Sequence, residues 1–364
     1  MQKATELLDI PLAELTEVEQ ETLLERRLVS ADFLEQSHPK AYLLSRDEKL
    51  SVMIGEEDQL RIQSLHPGFD LLSAYAQAKD MADALEQRRP LAFDADLGYL
   101  TACPSNTGSG MRVSVMVHLP ALTESRQIDH LAQQMSKLGY TLRGYHGEHS
   151  DRQTGLVQLS NQVTLGVDDR ELLKEFVRLI RRILKLEDEA TMRWLVSDRE
   201  KLEDRLWRSL GVLMQARLLT ADEARHCLSD LYLGLRIGVL PLWLETKTLS
   251  RLWLSIEPAN LQRSVGRPLA ARDRDRIRAM IVRQTLDRAR EATASRQRIS
   301  DATLAPQSKK SKAGEDYSPV TEPIPIDETR IGRIQRFLRQ EEMQMAQQHL
   351  NDDEMDQEEE GDEI

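Results

Sequence analysis

The sequence predicts an α+β protein, with a mostly antiparallel sheet and packed helices in its first half and helices alone after it. Three observations predict this class. Short apolar or alternating runs bounded by turn residues recur between residues 41 and 164. Helical periodicity dominates after Gly166, and a polar, acidic tail follows. The runs do not alternate regularly with helices, as a parallel βαβ sheet would require.

The first elements are predicted from two periodicities. Residues 12–30 place leucines and a valine at a rough helical period. Residues 41–64 contain the runs AYLLS, LSVMIG and LRIQSL, which predict three strands of a small meander. Pro67 and Gly68 end the meander, and residues 70–88 return to a helical pattern.

The next strands surround two turn-rich loops. GYLTAC predicts a strand that enters the loop PSNTGSGMR, and SVMVHLPAL after it fits either a strand or the start of a helix. Residues 125–138 place Ile, Leu and Met side chains on one helical face. YTLRGY and GLVQLSNQVTL then predict strands on either side of the loop HGEHSDRQT.

The remaining elements are predicted to be helices. DDRELLKEFVRLIRRILKL opens with acids, which suit a helix N-terminus. Thr220 and Glu223 form a T-x-x-E capping box for a helix that carries Cys227 on an apolar face. Residues 270–293 predict an arginine-rich helix. From about residue 296 the composition predicts a disordered linker, one short helix and the acidic tail.

Composition argues against a membrane or secreted protein. No apolar run approaches the roughly 18 residues that would span a bilayer, and two cysteines cannot build a disulfide framework. The net charge of −12 is mostly due to residues 352–363, which hold nine acids; without them it would be −3. We therefore expect a cytoplasmic protein with no membrane contact and no direct contact with nucleic acid.

Three polar stretches in the sheet region are candidates for chemistry. They are the acids Glu56, Glu57 and Asp58 with Arg61, the loop CPSNTGSGMR that ends in Arg112, and the loop RGYHGE of residues 143–148. Each has an ordinary interpretation on its own: a solvated turn, a tight glycine turn, or surface ion pairs worth at most about 1 kcal/mol. Together they fit a site in which arginines grip phosphates and carboxylates grip a cation.

These stretches, in this order, resemble the signature of the phosphagen (guanidino) kinase family. The family has N-E-E-D-H-x-R, C-P-T-N-x-G-T-G-x-R and R-G-x-x-G-E, and this chain has G-E-E-D-Q-L-R, C-P-S-N-T-G-S-G-M-R and R-G-Y-H-G-E. The chain is similar in particular to McsB-type bacterial protein-arginine kinases, through GYLTACP, RVSVMVHLPAL, KLEDRLWRSLGVL and CLSDLYLGL. The resemblance covers roughly residues 20–290. It implies the glutamine-synthetase-like guanidino kinase catalytic fold, with ATP and Mg²⁺ as cofactors.

The resemblance implies a role for each matching residue. Glu57 matches the base that deprotonates the acceptor guanidinium, Glu148 the carboxylate that orients it, and Cys103 a cysteine beside it. The matching ATP-binding residues are Arg61, Arg112, Val113, Ser114, Val115, Met116, Arg143, Gly144, Tyr145, His146, Gly147 and Glu148. A guanidinium has a very high pKa, so it attacks poorly until a carboxylate removes a proton.

Other acids and histidines of these loops are given ordinary roles. Glu56 is expected in a solvated turn, and the role of Asp58 stays open. His146, Glu148 and His149 lack the HExxH spacing of a metal site, so we expect no metal ligands among them.

RDRDRIRA at residues 272–279 allows three interpretations. It fits a solvated helix with internal ion pairs, or a nucleic-acid patch, against which the lack of interleaved aromatic residues argues. The resemblance offers a third: the R-D-x-x-R-A motif of a pocket that binds phosphoarginine and stimulates the kinase. The matching residues are Arg274, Asp275, Arg278 and Ala279. Arg274 and Arg278 lie one helical turn apart, so both are expected to face one phosphate.

One family segment has no counterpart. The run S-S-R-x-R-x-x-R-N, whose arginines hold the ATP phosphates, is missing before the first strand, and Arg27 aligns with a nucleotide-contacting histidine. One interpretation is that the true protein starts earlier; the other is a catalytically weak phosphoarginine-binding adaptor. We favour the first, because Glu57, Glu148 and the three remaining arginines are present.

The sequence thus predicts four regions and one activity. The regions are a remnant of a small N-terminal helical domain (1–35), a catalytic domain (36–190), a helical phosphoarginine-binding domain (191–294), and a linker, short helix and acidic tail (295–364). The activity that the resemblance implies is transfer of the ATP γ-phosphoryl group to arginine residues of proteins, which marks them for Clp-type proteolysis as part of a stress response. The family implies these partners: proteins with exposed arginines, a Clp ATPase or protease, a zinc-containing activator protein, a heat-shock repressor, and a second copy in a homodimer.

Overall fold

The computed structural model of the chain describes residues 6–144, 154–241 and 243–304, with side chains up to residue 295. The α+β class is confirmed: antiparallel strands mixed with helices reach residue 161, and helices alone follow. Met1–Gln297 form one compact unit. The single predicted sheet is instead divided, among the described residues, into sheets of four, two and three strands.

The first sheet confirms the predicted meander and adds a strand at its edge. Its four antiparallel strands, in spatial order, are β1 (Leu7–Asp9), β2 (Ala41–Ser45), β3 (Leu50–Ile54) and β4 (Leu60–Ser64). The four residues Leu50 to Met53 of β3 are all buried, because β3 lies inside the sheet and has cover on both faces. This rigid strand leads directly into the turn that carries the three acids.

The predicted helix over residues 12–30 is broken into three short pieces. They are a 3-10 turn (Leu12–Glu14), α1 (Glu17–Glu25) and α2 (Ala31–Glu35). Thr16 and Glu19 form a complete capping box that starts α1, and Ser30 caps α2. These helices pack their apolar residues on the first sheet in a core that includes Leu28, Phe33, Tyr42 and Met53.

The second large sheet lies after a helix and a small hairpin. The helix is α3 (Leu71–Glu86), as predicted, and the hairpin pairs β5 (Phe93–Asp94) with β6 (Gly98–Tyr99). SVMVHLPAL forms both alternatives in turn, β7 (Ser114–His118) and α4 (Pro120–Glu124). It is followed by α5 (Ile128–Lys137), β8 (Tyr140–Gly144) and β9 (Leu156–Asn161). The antiparallel order β7-β9-β8 places β9 in the middle.

The two faces of the second sheet have opposite character. Successive strand residues point to opposite faces, and Val117, Leu142, Val157 and Leu159 form the buried face. The other face, which we call the polar face, carries Ser114, Met116, Thr141, Arg143, Gln158 and Ser160. The buried face packs on the helix of residues 169–197, so a ligand bound to this sheet would have to contact the polar face.

The helical region contains six helices among the described residues. They are α6 (Asp169–Ser197), α7 (Arg199–Gln215), α8 (Ala221–Arg236), α9 (Thr246–Ser255), α10 (Pro258–Val265) and α11 (Ala271–Leu304). Asp168 and Thr220 accept backbone hydrogen bonds as the caps of α6 and α8, and Cys227 is buried, as predicted. Burial raises the pKa of the Cys227 thiol to about 11.

Two predicted boundaries differ from the helices observed. α6 runs through residue 190, where the catalytic domain was expected to end, and α11 continues to Leu304, past the expected start of the linker. The short helix and acidic tail predicted beyond it lie outside the described residues. In the part of the chain that is described, none of the helices combines the length and apolar character needed to cross a membrane.

Candidate active site

Glu56, the first of the three adjacent acids, is a structural residue. Its side chain is 6% exposed, and its Oε1 accepts hydrogen bonds from Ser30 Oγ and Arg61 Nη1, both at 2.7 Å. Its Oε2 accepts one from the Glu57 amide at 2.9 Å. Burial alone would raise the pKa of Glu56, but these donors and the Arg61 charge hold it below its ordinary value. The expectation of a solvated Glu56 is therefore wrong.

Asp58, the third acid, joins two of the signature stretches. Its Oδ1 accepts a hydrogen bond of 2.7 Å from the amide of Ala102, and its Oδ2 accepts one of 3.4 Å from Asn106 Nδ2. Ala102 and Asn106 lie on either side of Cys103 in the loop after β6. The role that the sequence left open for Asp58 is thus to hold the cysteine loop against the acidic turn.

Glu57 and Cys103 are brought together by this contact. Each is the immediate neighbour of one of the two bonded residues, Asp58 and Ala102. Glu57 is exposed, and its carboxylate makes no hydrogen bond or ion pair within the described residues. The Cys103 thiol is half-buried, with Sγ 3.0 Å from Ser105 Oγ. The exposed Glu57 carboxylate and the half-buried Cys103 thiol are therefore carried by two segments that contact each other.

Gly108 of the cysteine loop is needed for close packing of the backbone. A Cβ on Gly108, whose φ is +120°, would lie 2.3 Å from the carbonyl oxygen of Thr164. Thr164 in turn accepts from the Ser109 amide at 3.0 Å and donates its hydroxyl to the Thr107 carbonyl at 2.8 Å. Gly108 therefore allows the cysteine loop to lie close against the segment after β9.

Two of the three predicted phosphate arginines share the polar face. Arg143 lies on β8 directly opposite Gln158 of β9. Arg112 precedes Ser114 of β7 by two residues, and the Asn161 amide still bonds the Val113 carbonyl there, so Arg112 continues the same alternation. Arg61 lies instead on β4 of the first sheet, 43% exposed and paired with Glu56.

Not every predicted ATP-binding residue can use its side chain. Val113 and Val115 pack into the core of the second sheet, so any contact with a nucleotide would use their main chain. Ser114 and Met116 lie on the polar face, and Gly144 is the buried end of β8. Tyr145, His146, Gly147 and Glu148, with the neighbouring His149, lie outside the described residues. Their roles stay predictions.

Arg27 contacts the polar face, which motif matching alone did not indicate. Its Nη1 donates to Gln158 Oε1 at 3.2 Å on the polar face, while its carbonyl accepts a hydrogen bond from Gln63 of β4. Arg27 therefore spans the space between the first and second sheets. Its alignment with a family histidine was the only sequence signal, because the contacts reach 36 and 131 residues along the chain.

The R-D-R-I-R-A motif faces inward. Arg278 is 1% exposed; its Nε donates to the Ile256 carbonyl at 2.7 Å, and its Nη1 donates to the Leu219 carbonyl at 2.8 Å and Asp275 Oδ1 at 2.7 Å. Ala279 is buried, and Arg274 donates to the Leu269 carbonyl at 3.0 Å. In this structure Arg274 and Arg278 do not face one open phosphate site, because Arg278 is enclosed. Phosphoarginine binding at these residues stays a prediction.

No protein-held metal centre accompanies the site in the described ranges. Among those residues no three His, Cys, Asp or Glu side chains lie together in a group that could hold a metal ion.

Comparison with known proteins identifies the family. The family profile described as "ATP:guanido phosphotransferase, C-terminal catalytic domain" matches residues 1–190, and "Protein-arginine kinase McsB C-terminal domain" matches residues 199–297. A protein-arginine kinase of an Exiguobacterium species is 42% identical over 271 residues, covering 74% of this chain and 78% of its own. The protein-arginine kinase of Symbiobacterium thermophilum is 40% identical over 275 residues, covering 76% and 78%.

Solved structures of phosphagen kinases are also similar. A duplicated taurocyamine kinase from Schistosoma mansoni has a TM-score of 0.48 at 24% identity, covering 57% of this chain and 31% of that one. A lombricine kinase has a TM-score of 0.45 at 21% identity, covering 52% and 55%. The two profiles and the relatives at about 40% identity decide the matter. The chain belongs to the protein-arginine kinases of the ATP:guanido phosphotransferase family.

Proposed function

We propose that the chain transfers the γ-phosphoryl group of MgATP to the guanidinium of arginine residues in proteins. The hydrogen bond between Asp58 and the Ala102 amide carries the proposal, because it sets the exposed Glu57 carboxylate beside the Cys103 loop. A free carboxylate suits a cationic acceptor, and the arginines of the polar face suit phosphates. The acceptor class is proposed from the relatives, which are named protein-arginine kinases.

The proposed step gives each group of this site one task. Glu57 takes a proton from the acceptor guanidinium, and the freed nitrogen attacks the γ-phosphorus. The N–P bond forms while the bond to the β,γ-bridging oxygen breaks, and ADP leaves with that electron pair. Arg112 and Arg143 offset the negative charge of the phosphates, together with the Mg²⁺ that accompanies the nucleotide.

Arg61 is proposed to act from the first sheet. Glu56 binds one edge of its guanidinium through Nη1 and leaves the side chain 43% exposed. Because Glu56 also bonds the Glu57 amide, one buried carboxylate orients both the phosphate arginine and the backbone of the base. Such fixed positioning is how a phosphoryl-transfer site reduces its barrier.

The wider biological role is proposed from family membership alone. We propose that the modified proteins are substrates of a Clp ATPase or protease, that a heat-shock repressor is among them, and that a zinc-containing activator protein and a second copy of the chain bind the kinase. We also propose that it works in the cytoplasm as part of a stress response, and that Glu148 and the R-D-R-I-R-A residues Arg274, Asp275, Arg278 and Ala279 have the family roles given above.

A transfer assay tests the activity. The full chain is incubated with γ-labelled MgATP and an unfolded, arginine-rich protein, and the label is counted before and after acid, which breaks an N–P bond. We expect acid-labile label with the wild-type chain, and at least a roughly 10²-fold slower transfer with Glu57→Gln, because the proton acceptor is lost.

Glu21→Gln is the matched control, because Glu21 is an exposed carboxylate on α1 with no bond among the described residues. Equal rates for the two variants would remove Glu57 from the mechanism. A wild-type chain that yields no acid-labile label would contradict the proposed function.

A further inference from the structure

The end of α1 contacts three different parts of the molecule through three consecutive residues. Glu25 bonds the start of α10 in the helical region. Arg26 bonds Asn260 of α10 and Glu48 of the turn between β2 and β3. Arg27 bonds the two sheets, as described above. We call residues 25–27 the joint.

Glu25 supplies the N-terminal cap that α10 lacks. Its Oε1 accepts from the Ala259 amide at 2.7 Å, and its Oε2 accepts from the Asn260 amide at 2.8 Å and from Asn260 Nδ2 at 2.7 Å. The helix's own N-cap residue, Glu257, makes no capping bond. A carboxylate at a helix N-terminus satisfies unpaired amides and the helix dipole together. The contact therefore fixes α10 to α1.

Arg27 is held in a conformation that an arginine seldom adopts. Its φ is +59°, in the left-handed region, at the position after a helix where glycine is usual. This conformation is strained for a residue with a Cβ. Here the same backbone turn directs the Arg27 carbonyl to Gln63 and its guanidinium to Gln158. A strained backbone persists only where the surrounding structure holds it, and here both the carbonyl and the side chain of Arg27 have partners.

Gln158 places the joint at the proposed nucleotide site. It is the central residue of β9, opposite Met116 of β7 on one side and Arg143 of β8 on the other. The bond from Arg27 therefore reaches the polar face between the two strands that carry or follow the phosphate arginines. A shift of the joint would be transmitted to this face.

We propose that Glu25 is a positioning residue for the nucleotide site: by fixing α10 to α1, it holds the strained turn from which Arg27 orients Gln158. The inference rests on the proposed function for the identity of the ligand. The segment that leads into α10 is bonded as well, since Arg278 donates to the carbonyl of Ile256, two residues before α10 begins. Rearrangement of Arg278 would thus reach the polar face through α10 and Glu25.

A double-mutant cycle in the full chain tests the coupling. The dissociation constant of MgATP is measured by calorimetry for the wild type, Glu25→Ala, Arg27→Gly and the double variant. Arg27→Gly keeps the backbone turn and relieves its strain, so the variant should fold. We expect each single change to weaken MgATP binding roughly tenfold and the double change to weaken it no further.

A merely structural Glu25 would behave differently. Glu25→Ala would then lower the melting temperature but leave the MgATP dissociation constant at the wild-type value, which would overturn the inference. The inference would also be overturned if the double variant weakened MgATP binding by the product of the two single effects. Glu21→Ala, four residues earlier on the exposed side of α1, is the control and should change neither quantity.

Amide hydrogen exchange without nucleotide separates failure of the inference from failure of the proposed function. If the wild type binds no MgATP, the proposed nucleotide site is contradicted. The exchange result then still shows whether Glu25 is coupled to the two sheets. Glu25→Ala should speed exchange at residues 259–265 and also at 60–64 and 156–161. Faster exchange confined to residues 259–265 would show a local cap and overturn the inference.

Discussion

Glu56, Glu57 and Asp58 carry the same charge in adjacent positions, yet each has a different environment. Glu56 is enclosed by Ser30 and Arg61, and Asp58 accepts the Ala102 amide, so donors offset both charges. Glu57 alone keeps an exposed carboxylate without such donors in the described structure. The repulsion among the three acids is therefore reduced by neighbours on other elements, and the uncompensated charge is left on the residue proposed to receive a proton.

Replacing Asp58 should slow the reaction without preventing nucleotide binding. In Asp58→Ala the Ala102 amide loses its acceptor, so the Cys103 loop shifts relative to Glu57. A misplacement of about 1 Å can cost about 10²-fold in rate, and we expect kcat to fall about 10- to 100-fold with little change in MgATP affinity. Steady-state transfer assays measure both.

The control for Asp58 is Asp80→Ala, an exposed acid on α3 that makes no bond among the described residues. Loss of MgATP affinity in Asp58→Ala, with kcat kept, would contradict the positioning role and assign the residue to the nucleotide.

His118 should make the fold sensitive to acid. Its Nε2 lies 2.8 Å from Ser229 Oγ, which itself donates to the Thr154 carbonyl, so the neutral imidazole is the donor to Ser229. Burial, helped by the charge of Arg236, lowers the pKa of His118 to about 3. The unfolded chain binds the proton more readily below its ordinary pKa of 6.5. Stability is therefore lost as pH falls from 6.5 towards 3, and nothing is lost above that window.

His118→Gln tests this dependence, because a glutamine amide can still donate to Ser229 but does not titrate. Between pH 7 and pH 5 the wild type should lose about 2 kcal/mol of unfolding free energy more than the variant. Denaturant unfolding at the two pH values gives the difference. Parallel losses in both proteins would mean that other groups cause the acid sensitivity.

At the residue scale, the sequence predicted which residues belong to the candidate site better than it predicted their surroundings. Glu57 and Cys103 are predicted from the signature motifs, and the residues next to them, Asp58 and Ala102, are hydrogen-bonded in the structure. The roles of Glu56 and Asp58 could not be predicted, because their partners Ser30 and Ala102 lie 26 and 44 residues away. For Arg278, helical spacing indicates which residues share its face, but it does not show what covers that face.

At the element scale, periodicity predicted the strands that are long enough to alternate. β2, β3 and β4 lie within the predicted meander, and α3 within its predicted helix. The three residues of β1 are too short for a pattern to appear. The break between the 3-10 turn and α1 was missed although T-E-V-E at residues 16–19 is a readable capping box that starts a helix there.

Gly108 should be the least replaceable glycine of the cysteine loop. In Gly108→Ala the new Cβ would meet the Thr164 carbonyl oxygen at 2.3 Å, so the loop and the segment after β9 would have to separate. We expect the free energy of unfolding to fall by about 3 kcal/mol or more.

Gly166→Ala provides the matched control for Gly108. Gly166 also has a positive φ, +74°, but a Cβ there meets nothing within 4 Å, so only the backbone penalty of about 1 to 2 kcal/mol is expected. Denaturant unfolding of the two variants compares them. Equal losses would show that the contact with Thr164 has no importance for stability.

At the scale of the whole molecule, the two profile-matched regions are joined by buried polar contacts. Glu187 of α6 is fully buried. Its carboxylate accepts hydrogen bonds from the amides of Ala121 and Leu122 and forms an ion pair of 2.9 Å with Arg236 of α8. α6 itself is continuous through residue 190. The sequence predicted a domain boundary at this residue, but the helical pattern does not show that one helix contributes to both cores.

Because of these contacts, both regions should unfold together. All four tryptophans lie after residue 190, so their fluorescence reports on the helical region, while amide exchange at residues 156–161 reports on the second sheet. We expect coincident denaturant transitions by the two probes. Arg236→Ala should lower the free energy of unfolding measured by both probes by about 3 kcal/mol, because it leaves Glu187 buried without its cation.

Arg208→Ala is the control for Arg236, since Arg208 is 78% exposed and its ion pair with Asp204 is long, at 3.9 Å. Two separate transitions in the wild-type chain would show that the regions unfold independently.

The enclosed guanidinium of Arg278 bears on how the R-D-x-x-R-A pattern can be used to identify phosphoarginine readers. Arg278 ties together the carbonyls of Leu219 and Ile256 and the carboxylate of Asp275, from three segments of the helical region. Selection for folding alone would therefore preserve this arginine and aspartate, since a lysine could not span three acceptors in the same way. A protein that had lost the ability to recognise the modification would still display the pattern, so the pattern by itself marks a shared architecture.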